Sequence, residues 1–198
     1  MYKRQDLRIP AACRYRERMA SLSATARPVG RSAPDLHRRL LVSGLLFGVG
    51  VAAFVDETVL HQLLHWHHFY DRSTTAVGLV SDGLFHAFGW FAAVAGLFLF
   101  ADVRRRGGPG VGRWWPAVLI GAGAFQAWDG TVQHKLMKIH QIRYEVIPTE
   151  LRGTGPYPPV DNILVYDLVW MAIAVAFLVV GVLAWRRGSR SAAAPARA

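Results

Sequence analysis

The sequence predicts an all-α integral membrane protein: a four-helix bundle made of two helical hairpins in a parallel internal repeat, both termini cytoplasmic. Three observations carry this. Four long apolar stretches (about 40–64, 76–101, 114–137 and 163–185) are separated by charged breaks. The basic residues gather at alternate breaks. A string in the first stretch recurs, imperfectly, in the third.

Composition narrows the class before any motif is read. Of 198 residues, 53% are hydrophobic and 18% charged, against about 25% charged in a soluble domain. That excludes a disordered chain. A single cysteine, Cys13, excludes a disulfide framework and a Cys-rich metal site. The formal charge is +10, but residues 1–39 hold ten Lys/Arg against three Asp/Glu, so +7 of it lies in one tail. The remainder is nearly neutral, so the expected partner is the lipid bilayer and not nucleic acid.

Residues 1–39 read as a disordered basic tail lying near anionic head groups. They carry no apolar run before a cleavage site and so form no signal peptide; Met19 is an alternative start to Met1. Residues 40–187 form the four-span domain, and 188–198 a second disordered tail. Each apolar stretch is long enough to cross, because about 20 helical residues traverse a ~30 Å hydrocarbon core. Gly44, Gly48, Gly50, Gly121 and Gly123 suit close helix packing. The tail, the turn 102–113 and the C-terminal end carry 18 of the 23 Lys/Arg. These are therefore expected to be cytoplasmic, with the connections 65–76 and 138–162 outside. Trp114, Trp115 and Trp185 fit an inner aromatic belt, and Trp66 with Tyr70 an outer one.

Residues 56–67 (DETVLHQLLHWH) match 129–140 (DGTVQHKLMKIH) at an offset of 73. The matched pairs include Asp56/Asp129, His61/His134 and His67/His140, with Gly48/Gly121 upstream. Two hairpins about an axis along the membrane normal are the simplest architecture. In the second halves Asp82 aligns with Asp167, but His86 then faces Met171, so a shared site is asymmetric.

Seven of eight histidines gather by topology: His61, His65, His67, His68, His86, His134 and His140. Only His37 lies on the cytoplasmic side. With span one starting near Leu40, His61 lies about 31 Å along it at ~1.5 Å per residue, near the outer boundary. His134, Asp82 and His86 fall at similar depth. Asp56, Glu57, Asp82, Asp129 and Asp167 lie beside or below them. A charged Asp at a helix centre costs about 2.5–3.5 kcal/mol, so these acids require partners. Glu57, His61, His65 and His68 share one α-helical face. Asp56 to His61 and Asp129 to His134 are five apart, about 140° on a straight α-helix, so both cannot point one way without a bend. Asp56, Asp129 and Asp167 are therefore expected to hold the other N–H of ligating imidazoles.

The expectation is a metal site at the outer end, with His61, His86 and His134 at its core. His65, His67, His68 and His140 complete it, form a second site, or line the entrance. Nitrogen and oxygen ligands without thiolate suit Zn, Fe or Cu(II). Haem held by two histidines, among Phe85, Phe88, Trp90, Trp128 and Trp170, is the competing cofactor. A metalloenzyme, hydrolase or oxidoreductase, would use Glu57 or Asp82 as general base. A non-catalytic binding or assembly factor would use accessible, exchangeable ligands. The Pro-rich stretch 148–161 is a lid or a connection.

The strings FVDETVLHQLLHWHH, SDGLFHAFGW and AWDGTVQHKLMKIHQIR resemble those of a bacterial membrane-protein family, the domain of unknown function 2243, from about Leu40 to Trp185. Glu57, where the family has Gly, and His65, where Gln is frequent, are departures. The resemblance implies four spans in a bacterial inner membrane. It also implies an association with a respiratory or metal-handling complex, through cytochrome oxidase copper assembly.

Overall fold

The computed structural model of the chain describes residues 33–143 and 161–193, and the regular elements among them are all helices, without a strand. Helix α1 runs Ala33–Asp56 and passes without a break into wider π-helical turns over Glu57–Leu63. Helix α2 is Thr75–Arg105. Helix α3, Val111–Trp128, likewise continues as π-helical turns over Asp129–Met137. Helix α4 is Asp161–Ala193, running past the expected end of its span at 185. The basic tail before residue 33, the alternative start at Met19 and the Pro-rich stretch at 148–160 lie outside the described residues.

Local chemistry sets the ends. Thr74 Oγ1 accepts from the Val77 N–H at the start of α2, satisfying one orphan donor. At the other end Gly107 N–H bonds Arg104 O and Gly108 N–H bonds Val103 O. This pair of reversed bonds requires a left-handed residue, and Gly107 has φ +75°. Asp102 then gathers Arg39 (3.2 Å) and Arg106 (2.9 Å), pinning the base of α1 to that of α2.

Helix α2 packs on α1, α1 on α3, and α3 on α4, so α1 and α3 form the central pair and α2 and α4 the flanks. The central pair is parallel: Gly44 meets Ala117, Gly48 meets Val118, and Gly121 meets Leu45. A Cβ on Gly48 would lie 2.0 Å from Val118 O, and one on Gly121 2.3 Å from Leu45 O. Only glycine permits that approach. Leu40, Val103, Trp114 and Val118 fill the core toward the basic end, where Trp114 Nε1 donates to Ser43 Oγ at 2.9 Å. Trp114, expected in a lipid-facing belt, is thus a core residue, whereas Trp115 is exposed.

Three helices are long and apolar enough to cross a membrane: Pro34–Leu63, Thr75–Arg105 and Ile163–Ser189. The expected span at 114–137 falls short of that apolarity. The reason is position: α3 lies between α1 and α4, buries residues along most of its length, and accommodates Pro116, Gln126 and Asp129 against protein. The flanks show the opposite. Val80, Leu84, Phe91, Phe98, Leu164 and Leu168 are all more than half exposed, a surface that suits lipid and not water.

Candidate metal centre

The conflict between Asp56 and His61, five residues apart, is resolved by the backbone. Where N–H groups reach back five residues, the turn widens and positions i and i+5 return to one face. Glu57–Leu63 and Asp129–Met137 take this form. His61 Nε2 consequently lies 3.7 Å from Asp56 Oδ2, while its Nδ1 lies 2.8 Å from Glu57 Oε2. In the second half His134 Nε2 lies 3.1 Å from Asp129 Oδ2. Each π segment is followed by a non-glycine residue in the left-handed region, His65 at φ 52° and Lys138 at φ 53°. That reversal returns the chain over the bundle end and brings in His67 and His140.

Four imidazoles then pack together. Ring centroids are 4.2 Å apart for His61–His67, 4.7 Å for His67–His140 and 4.6 Å for His134–His140. The His67 and His140 rings are nearly parallel, at 11°. His61, His134 and His140 are 1% exposed and His67 5%. His67 Nδ1–H donates to Ile142 O at 3.0 Å, and His140 Nδ1–H donates to Phe69 O at 2.7 Å. His61 Nδ1 faces two carboxylates, Glu57 and Asp82, the latter at 3.2 Å. These partners fix each tautomer and leave Nε2 as the lone pair. The Nε2 atoms of His61, His67 and His140, and both ring nitrogens of His134, make no hydrogen bond. Burial, reinforced by the neighbouring imidazoles, holds His67 well below the ordinary histidine range; burial also lowers His140. Both rings are therefore neutral, the form that binds metal.

Three groups place their ligand atoms within 4.8 Å of one another: His67, His134 and His140; Asp56, His61 and His67; and Glu57, His61 and Asp82. The residues thus fit a metal held by nitrogen and oxygen. Asp82 organises the first half, accepting from His61, from His68 Nδ1 (2.6 Å) and from Phe69 N–H (2.6 Å). Glu57 and Asp82, of which one or the other is expected as general base, both lie beside His61 Nδ1. His86, expected beside His61 and His134, sits apart, half-buried against the Phe54 ring at 4.7 Å. His65 is exposed in the turn that follows the first π segment. Asp167 pairs with Lys135 Nζ at 2.5 Å and not with an imidazole. Buried Gln141, which directly follows His140, donates to His134 O at 2.8 Å, a role that its uncharged side chain does not signal in the sequence. The carbonyls of Phe69 and Ile142 carry no side-chain signal at all.

Two apolar grooves run beneath the cluster. One, about 550 Å³, lies between α2 and α3 and is lined by Phe69, Phe85, Phe88, Phe125, Trp128 and Gln133. The other, about 370 Å³, lies between α1 and α4, with Val55, Asp56, Leu60, Gln126 and Trp170 in its wall.

Apolar flanks, a glycine-packed central pair and a buried histidine–carboxylate cluster at one end define a helical membrane protein with groups that could hold a metal. The chain belongs to the family described as "Predicted membrane protein (DUF2243)", which matches residues 43–188. No curated protein and no solved structure matches the chain.

Proposed function

We propose that this chain is a bacterial inner-membrane metalloprotein whose resident metal centre, at the outer end of the bundle, acts on an apolar molecule reached from the lipid. One observation carries the reading: four buried imidazoles bring Nε2 atoms that make no hydrogen bond together beside Asp56 and Asp129, and His61, His67 and His140 have Nδ1 tied to fixed acceptors. Unsatisfied buried nitrogen is costly, about 1–3 kcal/mol per group, and several at one point imply a ligand. Charge supports it. Asp56, Glu57, Asp82 and Asp129 are buried together, with no Lys or Arg among the buried residues described. Buried charges are paired or coordinate metals.

The donor set suits Zn(II), Fe(II) or Cu(II). Such an ion, when bound, supplies Lewis acidity or redox chemistry. The chain's own residues orient the imidazoles, through Glu57, Asp82 and the two carbonyls, and keep water away. Haem is disfavoured because the rings pack against one another at 4.2–4.7 Å, leaving no slot for a porphyrin. A delivery or respiratory-assembly role requires exchangeable ligands, and the burial of His61, His134 and His140 weighs against it. The grooves support an apolar substrate, entering sideways. On this reading α3 crosses the bilayer with its neighbours, giving four crossings and placing both basic ends in the cytoplasm.

Elemental analysis with an absorption spectrum, on untagged protein in mild detergent, tests the reading. At least one equivalent of Zn, Fe or Cu without a Soret band is expected. His134→Ala should lower the metal content and His37→Ala should not. Protein that neither carries metal nor takes it up would overturn the proposal, and a Soret band would reassign the histidines to haem.

A further inference from the structure

We infer that the centre holds two metal ions, one for each half of the chain; this rests on the metal reading above. The argument begins with reciprocity between the halves. An offset of 73 carries Leu45 to Val118 and Gly48 to Gly121; Gly48 abuts Val118 O, and Gly121 abuts Leu45 O. An offset of 85 relates α2 to α4, carrying Gly96 to Gly181. Gly96 abuts Phe47 N, and Gly181 abuts Ile120 N, which is Phe47 shifted by 73. The same operation holds at the site. His67 donates to Ile142 O and His140 to Phe69 O; the two donors differ by 73, and so do the two acceptors. The left-handed residues His65 and Lys138 differ by 73 as well. An exchange of partners in which residue i meets j and j meets i is what a twofold axis produces. The stacked rings of His67 and His140 lie where that axis passes.

Under that symmetry every ligand comes in twos. The first half brings together Asp56, His61 and His67, with ligand atoms within 4.8 Å of one another. The equivalent residues are Asp129, His134 and His140. There Asp129 lies 3.1 Å from His134 Nε2 and 3.4 Å from His140 Nε2. One ion held by His67, His134 and His140 would leave His61 Nε2 buried without a hydrogen bond, 3.7 Å from Asp56 Oδ2. Two ions, each with an Asp and two His, employ every Nε2 of the cluster that makes no hydrogen bond. Two divalent ions also balance four carboxylates, Asp56, Glu57, Asp82 and Asp129. The two sites differ in support: His61 Nδ1 has Glu57 and Asp82, whereas the corresponding positions are Gly130 and the Lys135-paired Asp167. The first-half site is therefore the tighter.

Chelator-stripped full-length protein in detergent is titrated with Co(II) and with Zn(II), and metal per chain is counted after desalting. Two equivalents are expected, with a break in the Co(II) absorption titration at two. His61→Ala and His134→Ala should each fall to one equivalent, while His86→Ala keeps two. A wild-type value of one would overturn the two-ion inference and leave the single-centre reading standing. A value of zero would overturn both. The wild-type count requires no variant to fold, so misfolding of a variant cannot obscure the result.

Discussion

Asp82 shows how much one side chain can organise. It is 1% exposed and accepts from His61, His68 and the Phe69 N–H, so it orients one imidazole while fixing the turn that supplies another. Asp82→Asn removes the charge and one acceptor position from that network. Breaking a buried charged network of this kind costs about 3 kcal/mol. The variant should unfold at lower temperature than wild type, measured in detergent with the metal removed. Orienting carboxylates of this kind are also worth about 10–100-fold in metal affinity, so competition with a chromophoric chelator should show that loss. Unchanged affinity would mean that His61 is not a ligand. In the sequence Asp82 was legible as a buried acid needing a partner. Its partners were not, because His61 and His68 reach it across 21 and 14 residues of chain.

The π-helical turns and the glycine contacts are the two devices by which whole elements build the site. An uninterrupted α-helix would separate Asp56 from His61 and Asp129 from His134 by about 140°; the wider turn removes the conflict at both places. Sequence spacing exposed that conflict but not its solution, since hydrogen-bond register depends on what the segment packs against. The close approach of α1 to α3 is testable at Gly48. Gly48→Val places a Cβ 2.0 Å from the Val118 carbonyl oxygen, and backbone on both sides must shift. It should abolish the folded, monodisperse protein in size-exclusion chromatography. Gly83→Ala, in α2 with nothing within 4 Å of the added carbon, should be tolerated, changing stability by no more than about 1 kcal/mol. A folded Gly48→Val protein would show that the helices can separate without loss.

For the whole molecule, the proposed four crossings make a prediction about sidedness. In a Cys13→Ser background, a membrane-impermeant maleimide on intact cells should label Tyr70→Cys, beside the histidine cluster, and should label Gly112→Cys, at the start of α3 where an added carbon meets nothing within 4 Å, only after lysis. The reverse pattern would invert the topology, and label at both would remove the four-pass reading. The helical class, three of the four apolar lengths and the gathering of acids and histidines toward one end of the helices were readable without coordinates. These follow from composition and one-dimensional periodicity, which the bilayer reads residue by residue. The central position of α3, the separation of His86 from His61 and His134, and the recruitment of His67 and His140 by two left-handed turns were decided only in three dimensions. Each depends on which helix lies beside which, and on backbone carbonyls that carry no signature in the side-chain alphabet. Pairing across tens of residues is set by the packing of α1 on α3, and that packing brings the two halves of the cluster together.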